Sequence, residues 1–279
     1  MKKFKKYVKA LMWPFIFLIG QFLIQYIFVS IFNNKQIYIL QNKYPNLNHN
    51  EIMNKLNQLI NTSNYKIELN NYITSNALLI LLITIVAFLP LFIYIYKKNK
   101  EYNDKLSLNK IVIIMLLGIS LSLIYNITVF NINNIIHITN SYQISTIPVY
   151  VQILSSGIIG PILEELVFRG ILYNKLKKFN KPMKSIIMTS VIFSLFHFNS
   201  IINLIYAFMM SFIFIYVNEK YKTIKASILL HITANTTIIL FMYILIKNIF
   251  ILNMFVLIVC IIILITIYLK IIKNDVYKN

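Results

Sequence analysis

Polar and apolar positions fall in long blocks along this chain. Eight apolar runs stand out, at about 11–32, 76–96, 111–130, 148–172, 185–200, 202–217, 226–246 and 250–272. A helix of about 20 apolar residues crosses the hydrocarbon of a bilayer, and no run shows the strict alternation of a half-buried strand. The pattern predicts an all-α fold, a polytopic membrane helical bundle with about eight transmembrane helices. The fifth and sixth runs sit close to the lower limit of about 17 residues for a span. The first run follows five lysines and looks at first like a signal peptide. Its apolar part is too long and no small-residue cleavage site ends it, so it reads as a first transmembrane helix. Pro14 and Gly20 lie within it, which membrane helices tolerate.

Between the first two runs, 33–75 is polar and rich in Asn. Ile52, Leu56, Leu59 and Ile60 share one helical face there, which predicts a short helix lying on the membrane surface. His49 is expected to be a solvated histidine. His137, in a lysine-free loop at 131–147, is expected to have no functional role. No repeat and no linker is visible. The chain divides into an N-terminal membrane region, 1–147, with three transmembrane helices and an outer polar loop at 33–75. A five-helix core, 148–272, and a cytoplasmic tail, 273–279, complete it.

Composition sharpens this picture. The chain has 279 residues, 58% of them hydrophobic and 13% charged; soluble domains are usually about 45–50% apolar. The net charge of +19 does not indicate nucleic acid, because the lysines fall in short segments between apolar runs. With the N-terminus in the cytoplasm, 21 of the 26 lysines lie on the cytoplasmic side. That asymmetry obeys the positive-inside rule and puts both termini inside a cell membrane. The one cysteine, Cys260, allows no internal disulfide.

Candidate chemistry sits in the fourth run, at Glu164-Glu165-Leu166-Val167-Phe168-Arg169. Two of the eight acidic residues stand side by side there, with the only arginine of the chain. A charge at mid-bilayer depth costs about 2.5–3.5 kcal/mol on insertion scales, so these groups need partners, water or a task. Glu165 and Arg169 are four apart in the favourable order, so they are expected to pair. Glu164 points about 100° away and faces another surface. An unpaired carboxylate in low dielectric suits a general base or acid. Gly157, Gly160 and Gly170 are small enough for close helix approach. Pro161 is expected to kink the helix beside the acids.

Two further runs carry histidine, as Phe193-Ser194-Leu195-Phe196-His197 and His231-Ile232-Thr233-Ala234-Asn235. His231 and Asn235 share a face. Counted at about 1.5 Å per residue from the cytoplasmic ends of the runs, Glu164 lies roughly 12 Å deep, His231 roughly 8 Å and His197 roughly 18 Å. The depths neither unite nor separate the three.

The three motifs, in this order and spacing, resemble those of the CPBP intramembrane proteases, the CAAX-protease and bacteriocin-processing family, over roughly 148–245. The resemblance implies an intramembrane endopeptidase. Glu164 would activate water with help from His197, and His231 and Asn235 would stabilise the oxyanion. Glu165 and Arg169 would position the site. It leaves the cofactor open between a metal-free glutamate mechanism and a divalent metal such as Zn²⁺ on Glu164, His197 and His231; no H-E-x-x-H pattern is present. The implied partners are a membrane peptide or protein substrate and the lipid bilayer. Two other readings compete. One is a non-hydrolytic binding protein of the same fold, serving bacteriocin self-immunity or scaffolding. The other is a transporter with a Glu/His proton relay, which the lack of paired repeat halves disfavours.

Overall fold

A computed structural model describes residues 2–99, 105–135, 147–244 and 255–267. His137 lies outside them. Among the described residues every regular element is helical. Six helices are long and apolar enough to cross a membrane, and two shorter apolar ones, Pro182–Phe196 and Phe255–Ile267, occupy the places of the fifth and eighth runs.

Helix α1, Lys2–Lys43, is the longest. Its 42 residues span about 63 Å, more than a bilayer with its headgroups. The helix itself runs on past the apolar stretch that ends near residue 32: the polar stretch after Phe32 contains no Gly or Pro to stop it, and Leu40 gives it a buried contact. The rest of 33–75 is mostly helical, including a short helix where the apolar face at 52–60 predicted one. After the end of α1 come α2, His49–Ile60, and α3, Ser63–Ser75. Asn48 and Glu51 close a reciprocal capping box at the start of α2. The apolar face of α2 does not lie open to lipid, because Ile52 and Leu56 bury against Leu40 of α1. Tyr65 of α3 stacks edge-on against Phe32 and hydrogen-bonds to Asn33.

Helices α4, Ala77–Asn99, and α5, Leu108–Ile135, follow. Phe17 of α1 meets Phe88 and Phe92 of α4 edge to face, which ties the first two spans together. The N-terminal end of α1 is fastened separately, where Tyr7 donates to Asn180 at 2.6 Å.

Helix α6, Val149–Lys177, carries the acid pair. It is not α-helical throughout. Two π-helical stretches, Ile153–Ile159 and Leu166–Tyr173, bracket an α segment, Gly160–Glu165. The N–H of Gly160 reaches back to Ser155 O, five residues away. Pro161 has no N–H, so the α ladder cannot run unbroken through it, and the wider turn carries the chain up to that point. Helices α7, Pro182–Phe196, α8, Ile201–Tyr221, and α9, Ile224–Ile244, complete the core. The tenth described helix is α10, Phe255–Ile267.

Helix α9 is the central post, touching α5, α6 and α8. A Cβ on Gly118 of α5 would stand 2.2 Å from Thr233 Oγ1 of α9, so only glycine allows that crossing. Ser122, one turn on, donates to Ala234 O at 2.9 Å. Gly157 performs the same service for α6, its missing Cβ lying 3.1 Å from Thr236 Oγ1. Gly160 does not. A Cβ there would meet only the Ser155 carbonyl of its own helix.

Candidate active site

The adjacent acids part as the helical geometry predicts. Glu165 has no exposed side-chain surface and Glu164 keeps 20%. Glu165 Oε1 is 2.9 Å from Arg169 Nη1, the expected pair one turn apart. The same oxygen lies 3.0 Å from His231 Nδ1. Arg169 continues the chain of contacts, with Nη2 donating to Ser211 Oγ at 2.9 Å. Its guanidinium lies 4.4 Å from the Phe193 ring centre and 4.9 Å from that of Phe214, within cation–π distance of both. Thus α6, α7, α8 and α9 are joined through one buried cation.

On the other side of α6, Glu164 Oε2 lies 3.4 Å from His197 Nε2 and 3.7 Å from His231 Nε2. His197 sits at the C-terminal cap of α7, its ring stacked on Phe193. The His231 ring is stacked on Phe214. Both imidazoles have their other nitrogen committed: His197 Nδ1 is 2.8 Å from Phe193 O, and His231 Nδ1 meets Glu165. A carbonyl and an ionised carboxylate only accept, so Nδ1 carries the proton in both rings. The two Nε2 atoms are the ones left to face Glu164.

Helix α6 runs to Lys177, past the expected end of its span. Asn235 is one turn beyond His231, and its Nδ2 donates to Ser156 O at 3.0 Å. A carboxamide has a second N–H, which that contact leaves over.

Two cavities meet at this group. One, about 760 Å³, is lined by Glu164, His197 and Asn235 together with residues of α1, α4 and α6. The other, about 710 Å³, is lined by His197, His231 and Asn235 with Tyr206, Met210 and Phe214 of α8. His197 and Asn235 form part of both walls. All six residues singled out in the sequence are therefore gathered here. Sequence reasoning missed Ser211, the aromatic clamp on Arg169 and the Glu165–His231 contact. The signal for Ser211 was a small hydroxyl side chain in an apolar span, a type that commonly bonds across helices.

Fold and site together define a multi-pass membrane helical bundle with a polar constellation inside its span. Residues 146–237 match the family model of the Rce1-like proteins, the type II CAAX prenyl endopeptidases. That match supports the CPBP/CAAX protease family for this chain, and the matched segment contains every residue of the constellation. No curated protein and no solved structure matches the chain.

Proposed function

We propose that this protein is an intramembrane endopeptidase that hydrolyses peptide bonds of membrane-associated peptides or proteins. The observation that carries the reading is the approach of Glu164 Oε2 to two imidazole Nε2 atoms where two cavities meet. A water in the cavity beside Glu164 and His197 can donate one hydrogen to the carboxylate and one to Nε2. Glu164 then takes the proton as that water attacks the carbonyl carbon, and delivers it to the departing amine. His231 is held by its Nδ1 contact with Glu165 so that Nε2 looks into the site. With the free N–H of Asn235 it faces the oxygen that gains charge in the tetrahedral intermediate. Glu165 and Arg169 touch no reacting atom and act by holding His231 and the four helices.

The resemblance brings in a divalent metal such as zinc. Glu164 Oε2, His197 Nε2 and His231 Nε2 are suitable donor atoms, and both rings have the hydrogen-bonded outer nitrogen that ligating histidines show. As the side chains stand, no group of three His, Cys, Asp or Glu that could hold a metal ion occurs among the described residues. No step above passes through a metal. In orientation, the lysine distribution favours both termini on the cytoplasmic side.

The test compares cells expressing wild type and Glu164→Ala at matched levels, with membrane-protein and peptide termini catalogued by mass spectrometry. Termini that vanish in the variant are the expected result and name the substrate. Unchanged termini, with the wild-type phenotype kept by the variant, would overturn hydrolysis in favour of a binding or immunity role.

A further inference from the structure

The cavity on the Glu164 side has a wall that the reaction does not use. Gln21 and Gln25 of α1 line it, with Thr84 of α4 and Ser156 of α6. Neither glutamine makes a hydrogen bond among the described residues, and both stand in an apolar span, Gln21 half-buried and Gln25 exposed toward the cavity. A carboxamide there gains from a polar partner that the bilayer does not supply. The packing of Phe17 on Phe88 and Phe92, and the bond from Tyr7 to Asn180, hold α1 against α4 and α6 so that this face looks toward Glu164.

We infer that Gln21 and Gln25 form a docking site for the main chain of an extended peptide in the Glu164-side cavity. The occupant's fate as a substrate rests on the hydrolytic reading above. Three features carry the assignment. A carboxamide offers a donor and an acceptor together, the complement of a peptide unit. The two glutamines are one turn apart, with Cβ atoms about 5–6 Å from each other. Peptide units facing the same side of an extended chain recur about every 6.6 Å, so two of them can meet both side chains. Finally, Glu164 lines the same cavity, and His197 and Asn235 line both. A peptide held on Gln21 and Gln25 therefore lies in the cavity that Glu164 borders. Beyond it the chain enters the cavity walled by Tyr206, Met210 and Phe214, which suits an apolar side chain. Main-chain recognition on one flank and apolar recognition on the other describe an enzyme with loose sequence preference, choosing substrates by extended, apolar character.

The test uses the full chain in lipid nanodiscs with Glu164→Gln, so that bound peptide stays whole. The probes are a pool of synthetic decapeptides randomised among apolar residues and serine, and a matching pool with N-methylated main-chain amides. Retained peptide is measured by mass spectrometry. Adding Gln21→Leu and Gln25→Leu together is expected to lower retention of the ordinary pool about tenfold, as loss of two or more neutral hydrogen bonds implies, and that of the N-methylated pool, which keeps its carbonyl acceptors, by clearly less, about threefold. Equal losses, no loss, or no retention by the Glu164→Gln chain overturn the docking site. If the double variant fails to fold, Gln25→Met alone replaces it, with about threefold expected for the ordinary pool and clearly less for the N-methylated one. Cleavage is scored separately with Glu164 intact. Retention that depends on the glutamines without any cleavage overturns hydrolysis alone. Cleavage with glutamine-independent retention overturns the docking site alone.

Discussion

The two sides of α6 hold the same chemical group in opposite circumstances. On one side Glu165 is sealed from solvent and bonded to Arg169 and His231, with Ser211 and two aromatic rings completing the enclosure. On the other, Glu164 borders a cavity and faces two imidazole nitrogens without a close hydrogen bond to either. A sealed carboxylate held by a cation and an imidazole is an anchor. One that borders a cavity, with two imidazole nitrogens at 3.4 and 3.7 Å, can be reached by a reactant from that cavity. Adjacent positions on a helix are enough to separate structure from chemistry.

The contrast can be broken most sharply at Glu164. Glu164→Gln keeps the shape and removes the base. Cleavage is expected to fall about 10²–10⁴-fold while the yield of folded protein stays unchanged. Rates for the purified chain in detergent, with a peptide found by the termini comparison, would check this. A variant with full activity would deny Glu164 its role.

Arg169→Ala should act on the opposite side and in the opposite manner. It strands Glu165 as a buried, unpaired acid, and a loss of about 3–5 kcal/mol of stability is expected. Thermal unfolding in detergent reads it directly. An unchanged midpoint would show that the pair does not hold the bundle. Joining Arg169→Met with Glu165→Gln should restore much of the stability, since the charge and its partner leave together.

Asn235→Ala falls between the two sides. It removes a proposed oxyanion donor and a bond to Ser156. A drop in cleavage of about 10²-fold is expected, with little change in the amount of peptide bound by the Glu164→Gln chain. If binding and cleavage fall equally, Asn235 positions the substrate or α6 rather than the developing charge. Ser211→Ala is the mildest change. It takes one hydrogen bond from Arg169, for about 1.5–3 kcal/mol, and should leave the rate of the folded enzyme unaltered.

Much of this contrast was legible before any coordinates. The i, i+4 spacing pointed to the Glu165–Arg169 pair, and the offset of Glu164 followed from helix geometry alone. The motif order brought His197, His231 and Asn235 into consideration, and they do converge. What could not be read was set by contacts between distant segments. The bond of Glu165 to His231 needs the placing of α9 against α6, and Ser211 is one hydroxyl among many on apolar helices. The overlong α1 escaped because hydropathy marks where a helix meets lipid, not where it stops. Its last turns are polar, yet Leu40 finds Ile52 and Leu56. The wide turns of α6 were also unreadable, since Pro161 signals only that an α bond is missing.

Those wide turns give α6 a phase as well as a length. The second of them begins directly after the acid pair, so the stretch between Glu165 and Arg169 is where the phase is set. Removing one residue there would bring the arginine to the fourth place after Glu164 and swing it by about 100°. The cation would then stand in line with Glu164, the acid proposed to act as the base. The duties of these glutamates are written in the count of residues that follow them, so a single deletion could silence this site with every functional side chain still present.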